Sequence, residues 1–175
     1  MNLYLRLLKL LLLLPFVRRR ALLDSGRIVF RVWPNDCDLN LHLNNGRYLT
    51  FMDLGRVHLI AQIGLLGVLW QRRWTPVLSA AEINFIRPIQ PLQKFELATR
   101  LLTWDEKYFY IEQRFLAGGR LCAVALVKGL FLHQRERVEM RAVLEAMDID
   151  SMAPDMPDVV RHWNDLATLK KQHLG

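Results

Sequence analysis

The stretch DCDLNLHLNNGRYLTFMDLGR, residues 36–56, decides which fold we expect of this 175-residue chain. Residues 39–43 alternate leucine with polar residues, a pattern typical of a half-buried strand. In such a strand the leucines face the core, and Asp38, Asn40 and His42 project together from the opposite face. Packing does not require three polar side chains at this spacing, so we interpret them as functional.

This polar face leads into a predicted helix. Asn44, Asn45 and Gly46 favour a turn or a helix N-cap, and apolar residues then recur at helical spacing as far as about Ile63. Gly64 suits the C-terminal cap of that helix. Free backbone N–H groups and the helix dipole at the N-terminus favour negative charge. A carboxylate, a carboxamide and an imidazole beside this terminus therefore predict a site for acyl transfer.

The rest of the chain predicts mostly antiparallel strands. Five stretches have strand patterns, with short turns between the last three: residues 27–33, 75–89, 95–104, 108–116 and 121–133. Helical patterns cover residues 65–72 and 138–147, and Asp158 starts a last helix with Trp163 and Leu166 on one face. We expect an α+β fold, with one curved antiparallel sheet around one long central helix and further helices at the C-terminus. Open strand edges predict assembly through an edge.

The basic charge is concentrated near the beginning of the chain. The sequence has 24 Lys and Arg against 17 Asp and Glu, a formal charge of +7. Five basic residues precede the first acid, Asp24, which leaves 19 against 17, or +2, and argues against a nucleic-acid-binding face. The chain divides into a leucine-rich basic N-terminal arm, residues 1–23, a main domain, residues 24–135, and a C-terminal helical extension, residues 136–175.

The arm has two interpretations. Leucine fills nine of its first fourteen positions, but Arg6 and Lys9 interrupt them, and the apolar run 10–17 is far shorter than the ~20 residues that span a bilayer. The arm could be an interfacial helix whose arginines, residues 18–20, reach anionic head groups. It could equally be a helix that packs on the domain or at an oligomer contact.

The two cysteines predict a reducing compartment. Cys37 and Cys122 are far apart and lack a CxxC or Cys/His ligand pattern, so we predict no disulfide framework, no metal site and no cofactor. We expect a cytoplasmic protein, which the arm could hold at the inner face of a membrane. Because Asp36 and Asp38 flank Cys37, they should raise the pKa of its thiol, which favours a packed residue over a nucleophile.

The order of strand, DxDxxxHxNNxxYxxxxxxxR, helix and four strands resembles the hotdog-fold acyl thioesterases of the 4-hydroxybenzoyl-CoA thioesterase type. The resemblance covers about residues 27–133, and EINFIRPI, residues 82–89, is similar to the second-strand pattern of that family. The residues that carry it are Asp36, Asp38, His42, Asn44, Asn45, Tyr48 and Arg56.

Two further resemblances add detail. DLNLH, residues 38–42, resembles the Asp-x-Asn-x-His of plant acyl-carrier-protein thioesterases, in which these three positions are implicated in catalysis. RLLTWDEKYFYIEQRF, residues 100–115, and PDMPDVVRHW, residues 154–163, resemble the group of thioesterase superfamily member six and its bacterial relatives.

The resemblance implies roles for the polar residues. Asp38 would attack the thioester carbonyl to form a mixed anhydride, or would activate a water as general base. His42 would orient the thioester, protonate the departing thiolate or hydrogen-bond Asp38, and Asn40 would hold the carboxylate or the water. Backbone N–H groups near Asn44 and Asn45 would stabilise the oxyanion.

Other residues have supporting roles in this prediction. Asp53 and Arg56 lie at i, i+3 and should form an ion pair, although some hotdog enzymes draw their catalytic acid from the central helix, as Asp53 would. Tyr48 belongs to the shared motif. Arg87 is a candidate for binding the substrate phosphates, together with Arg72, Arg73 and Arg120.

The expected activity is hydrolysis of an acyl-CoA or acyl-carrier-protein thioester by a homodimer or homotetramer. The alternative is a non-catalytic, membrane-associated hotdog protein that binds acyl thioesters or lipids. A dehydratase shares the fold, but it normally relies on a different His/Asp or His/Glu setting.

Overall fold

Residues 3–174, described by a computed structural model, form five α-helices and six strands. The helices are α1 (Leu3–Leu13), α2 (Asn45–Gln62), α3 (Leu65–Arg72), α4 (Met140–Ala146) and α5 (Asp158–Leu174). The strands are β1 (Gly26–Arg31), β2 (Thr75–Phe85), β3 (Lys94–Trp104), β4 (Phe109–Ala117), β5 (Arg120–His133) and β6 (Glu136–Val138).

The strands form one antiparallel sheet around α2, which confirms the predicted α+β fold. Their order is β1-β3-β4-β5-β2, and β6 pairs with the end of β5. The predicted meander is present as β3, β4 and β5. The core between α2 and the sheet contains the buried side chains of Tyr48, Phe51, Met52, Phe95, Leu97 and Phe115.

The C-terminal region differs from its prediction in two places. The pattern over residues 138–147 is not one helix, because Val138 ends strand β6 opposite Phe131 and the helix begins only at Met140. The last helix begins at Asp158 as predicted, with Val160 buried. Leu166 is 47% exposed, so the helix face that it was predicted to share with Trp163 is only partly packed against the domain.

Residues 39–43 do not form the strand that their alternation predicts. Cys37 and Leu43 form an isolated antiparallel bridge, and the chain between them turns, with Leu41 at a φ of 56°. Leu43 is buried, whereas Leu39 and Leu41 are exposed. The Asp38 side chain hydrogen-bonds the backbone of this segment, and such local bonds compete with extended structure.

The arm packs on the domain through one face of α1. Arg6 and Leu10 are buried there, while the opposite face exposes Tyr4, Leu5, Leu8, Leu11 and Leu12. Among the described residues no single helix is long and apolar enough to cross a membrane; α2 and α3 pass such a test only together, and they are bent by 94°.

The end of the arm contacts the C-terminus of α2. The Arg19 guanidinium donates to the Ala61 carbonyl at 3.3 Å, and the Arg20 backbone N–H donates to the Gln62 carbonyl at 3.0 Å. The Ala61 carbonyl also accepts the Gly64 N–H at 3.2 Å, and positive charge is favourable at this end of the helix dipole. Two of the arm arginines therefore contribute to the fold.

Candidate active site

Asp36 organises the loop before α2. Its side chain is fully buried and accepts hydrogen bonds from Arg6 Nη1 at 2.9 Å and Arg6 Nη2 at 2.5 Å. It also accepts the Trp33 backbone N–H at 2.8 Å and lies 3.4 Å from Arg47 Nε. A buried carboxylate requires such partners, since an unpaired charge is strongly destabilising. Asp36 is thus a structural carboxylate, occupied on both oxygens.

Asp38 has a different environment. Its Oδ1 atom accepts the backbone N–H groups of Asn40 at 2.9 Å and His42 at 3.4 Å, and its own N–H donates to the His42 carbonyl at 3.0 Å. Within residues 3–174, Oδ2 has no hydrogen-bond partner. The turn therefore orients the half-buried carboxylate through one oxygen and leaves the other available.

His42 and Asn40 belong to the same turn. The backbone of each is engaged by Asp38, but neither side chain makes a hydrogen bond to another described residue. His42 is half-buried and Asn40 is exposed. The turn thus brings together the three predicted residues, although through backbone contacts and not on the face of a strand.

The N-terminus of α2 follows directly. Asn44 is the predicted N-cap, since its Oδ1 accepts the Gly46 N–H at 2.9 Å. The Asn44 N–H donates to the Asp36 carbonyl at 2.9 Å and is therefore already occupied. The Asn45 N–H has no acceptor among the described residues, which makes it the available amide at this helix terminus.

Two neighbouring residues remain uncharged. Tyr48 is buried between Phe85, at a ring-centroid distance of 4.9 Å, and Phe115, at 4.8 Å, and this burial raises the pKa of its phenol to about 12. Burial raises the pKa of the Cys37 thiol, and the charges of Asp36 and Asp38, the predicted cause, add to that shift. Neither residue supplies an anion at neutral pH.

Asp53 and Arg56 form the predicted ion pair on α2. The Asp53 side chain is mostly exposed, whereas that of Arg56 is mostly buried. Burial lowers the pKa of the Arg56 guanidinium, and Asp53 opposes that shift. Arg56 also donates to Gln113 Oε1 at 3.0 Å. The pair therefore lies at a boundary between solvent and core.

An apolar cavity of about 330 Å³ opens beside this ion pair. Among the described residues Asp53 and Arg56 are the only charged ones in its lining, and Asp38, Asn40 and His42 are not part of it. The apolar walls come from α2, β2, β5 and α4, and include Val57, Ile60, Val127, Phe131, Val143 and Leu144. Such a cavity suits an acyl chain better than a charged ligand.

The predicted phosphate-binding arginine is exposed in the bend that follows β2. Arg87 donates to the Leu121 carbonyl at 2.8 Å, and its backbone N–H bonds the Cys122 carbonyl. Neither Arg87 nor Arg72, Arg73 or Arg120 lines the apolar cavity. The structure therefore does not place the four predicted phosphate-binding arginines in the wall of this cavity.

Sequence reasoning missed two contributors to this region. Gln113 is a fully buried carboxamide that joins α2 to the sheet, and its signal was a polar residue between Ile111 and Phe115 on the inward face of β4. The sequence-based prediction includes Arg6 in the arm without a partner, although a charged residue within a leucine run indicates a specific partner, which is Asp36.

Comparisons with known proteins agree with this fold and confirm the resemblance stated above. The profile of the Thioesterase-like superfamily matches residues 32–164. Protein THEM6 of Drosophila melanogaster is 30% identical over 162 residues, 91% of this chain and 82% of the relative. Protein THEM6 of Danio rerio is 33% identical over 149 residues, 82% of this chain and 71% of the relative.

A solved structure of a thioesterase from Thermus thermophilus, complexed with coenzyme A and Zn, is also similar. It superposes with a TM-score of 0.59 at 21% identity, over 69% of this chain and 90% of that chain, a likeness that shows the fold. Because the superfamily profile covers most of the sequence and the insect relative matches nearly all of it, this chain belongs to the thioesterase-like superfamily.

Proposed function

We propose that Asp38 is the reacting carboxylate with which this thioester hydrolase cleaves acyl-CoA. The observation that carries the proposal is the difference between the two Asp38 oxygens: two backbone N–H groups hold Oδ1, and Oδ2 is free among the described residues. A fixed carboxylate with one available oxygen beside a helix N-terminus suits attack on a carbonyl.

Two chemical routes are compatible with this geometry. In the first, Asp38 Oδ2 attacks the thioester carbon, the C–S bond breaks, and water then hydrolyses the mixed anhydride. In the second, Asp38 takes a proton from a water, which attacks the same carbon. In both routes the Asn45 N–H stabilises the oxyanion, and His42 protonates the departing thiolate. Asn40 lies next to the carboxylate and orients the attacking water.

The apolar cavity supports an acyl chain as the substrate group. Within residues 3–174 its lining contains only two charged residues, which pair with each other, so a hydrocarbon chain can enter without unpairing a buried charge. Asp53 is eight residues beyond Asn45, about 12 Å along the helix. An acyl chain bound in the cavity would therefore extend away from a thioester held at Asp38.

Asp38→Asn tests the proposal directly. The carboxamide oxygen introduced at this position can still accept both backbone N–H groups, so the turn and the fold should persist while turnover of acyl-CoA falls at least 1,000-fold. Asp155→Asn, which changes an exposed carboxylate without a partner among the described residues, is the matched control and should retain full activity. Hydrolysis should be measured with acyl-CoA substrates of several chain lengths.

The alternative is a protein that binds acyl thioesters without hydrolysing them. Asp38 does not line the apolar cavity, and a binding cavity separate from the candidate reacting group supports this alternative. This alternative predicts that acyl-CoA binds with equal affinity to the wild type and to Asp38→Asn, without turnover by either. Absence of hydrolysis at every chain length would contradict the role proposed for Asp38.

We also propose a homodimer joined at β2, or a tetramer of two such dimers. In the described region β2 pairs only with β5, whereas α1 lies beside the other terminal strand, β1. Exposed Val77, Leu78 and Phe85 give the open strand an apolar character. The mass in solution should be two or four times 20.5 kDa, and Ala81→Lys, which puts a charge on this edge, should reduce it. A monomeric wild-type particle would contradict the assembly.

We further propose that α1 lies on an anionic membrane, which places the protein at the inner face of a membrane in the cytoplasm. Its exposed leucines form the apolar face of an interfacial helix. Lys9 and Arg18 are exposed and have no partner among the described residues, so they are available to anionic head groups.

A further inference from the structure

We infer that Arg6 is a positioning residue for the loop that carries Asp38, so that the arm is a structural part of the candidate site. The inference rests on the role proposed above for Asp38. It is carried by the buried contact between the arm and Asp36, which no step of the proposed chemistry uses.

The Arg6 guanidinium contacts a carboxylate, a backbone carbonyl and an aromatic ring. It forms a bidentate contact with Asp36, with N···O distances of 2.9 and 2.5 Å, and its Nη2 atom also donates to the Arg31 carbonyl at 3.2 Å. Its central carbon lies 4.6 Å from the centroid of the Phe51 ring on α2. Both charged side chains are buried, at 3% and 0% exposure. A planar guanidinium matches this geometry, whereas a lysine ammonium does not.

Asp36 transmits this restraint to both ends of the loop. On the N-terminal side it accepts the Trp33 N–H through its carboxylate and donates its own N–H to the Trp33 carbonyl, both at 2.8 Å. On the C-terminal side its carbonyl accepts the Asn44 N–H at 2.9 Å, next to the start of α2. The Asp38 turn lies between these two attachments. A displaced Asp36 would therefore change the position of Asp38 relative to the helix terminus.

The energetics of buried ion pairs separate positioning from stability. Removing one partner leaves an uncompensated buried charge and is strongly destabilising, but replacing both partners by well-packed, uncharged residues of similar volume, hydrophobic ones above all, is often neutral or stabilising. The chain could therefore remain stable with a neutral pair at these positions. What a neutral pair would lack is the bidentate geometry that determines the position of the loop.

The test compares Arg6→Met with the double variant Arg6→Met/Asp36→Asn and with Arg6→Lys. Arg6→Met should lower both the melting temperature and kcat. The double variant should recover most of the melting temperature, because neither substituted side chain is charged, the carboxamide at position 36 can still accept the Trp33 N–H, and the partly exposed Arg47 keeps its contact with the Asn35 carbonyl, while kcat stays at least tenfold below the wild type. The melting temperature and kcat of Arg6→Lys should lie between those of Arg6→Met and those of the wild type. Arg141→Met, which breaks the exposed pair with Glu145, is the control and should change neither quantity.

Hydrogen exchange provides a readout that does not depend on activity. In the double variant the amides of residues 33–47 should exchange at least tenfold faster, while those of β3, β4 and β5 keep their wild-type rates. Recovery of kcat together with the melting temperature, or unchanged exchange in residues 33–47, would overturn the inference. If the wild type hydrolyses no thioester, the proposed function fails, and the exchange rates alone decide whether Arg6 positions the loop.

Discussion

Arg56 and Gln113 are joined by a hydrogen bond of 3.0 Å that connects the central helix to the sheet. The fully buried Gln113 carboxamide also donates to the Met52 carbonyl and to Thr99 Oγ1, each at 3.0 Å. These polar groups are buried or mostly buried, and a buried polar group without a hydrogen-bond partner would destabilise the folded protein. The network therefore determines how closely α2 approaches β3 and β4, and it places Arg56 at the cavity.

We expect Gly55→Ala to destabilise the protein by about 1–2 kcal/mol. A Cβ atom at Gly55 would lie 2.7 Å from Leu97 Cδ2, 2.8 Å from Thr99 Oγ1 and 2.9 Å from Gln113 Nε2, so overpacking should exceed the ~1 kcal/mol that alanine contributes to a helix. Denaturant unfolding measures the difference. Gly67→Ala on α3 is the control and should be neutral or stabilising, because an added Cβ there would meet no side chain of the described residues outside its immediate neighbours within 4 Å.

We expect the free energy of unfolding to fall between pH 10 and pH 12 because of Tyr48. Its pKa is raised from 10 to about 12 in the folded protein, so above pH 10 the unfolded chain releases this proton first. The unfolded state then gains stability by up to ~1.4 kcal/mol per pH unit. Tyr48→Phe should have a shallower dependence in denaturant unfolding over this range. Equal slopes for the two proteins would show that Tyr48 does not titrate in this way.

We expect Ile60→Trp to shorten the acyl chain that the enzyme accepts. Ile60 lines the apolar cavity, and a larger side chain there reduces the volume available to the distal part of the substrate. The kcat/KM for long-chain acyl-CoA should fall at least tenfold, with little change for short chains. Leu66→Trp, at an exposed position on α3, controls for the added indole. A uniform loss at all chain lengths would argue against this cavity as the acyl site.

We expect the double variant Leu5→Asp/Leu12→Asp to lose most binding to vesicles that contain anionic lipid. Both leucines lie on the exposed face of α1, and aspartate removes apolar area while adding repulsion from the head groups. Vesicle co-sedimentation measures the bound fraction. Leu166→Asp/Leu169→Asp, a matched pair of exposed leucines on α5, should bind like the wild type. If both double variants bind equally, α1 is not the membrane contact.

Local sequence signals predicted most elements because their causes are local. The Asn44 cap, the helical period after it and the glycine at Gly64 place α2 within a residue or two of its observed ends. The turns of the meander were predicted for the same reason. The strand predicted from the alternation over residues 39–43 was wrong. A leucine pattern does not reveal that the Asp38 side chain will hydrogen-bond the backbone of its own turn.

By itself the sequence determined the fold class, the central helix and the cluster of Asp38, Asn40 and His42, since these depend on residue periodicity and on neighbours within five positions. Only the tertiary structure decided what Arg6 and Gln113 do, because their partners are 30 and 57 residues away in the chain. It also distinguished Asp36 from Asp38. Burial and a distant arginine occupy the first carboxylate, and a local turn leaves one oxygen of the second free among the described residues.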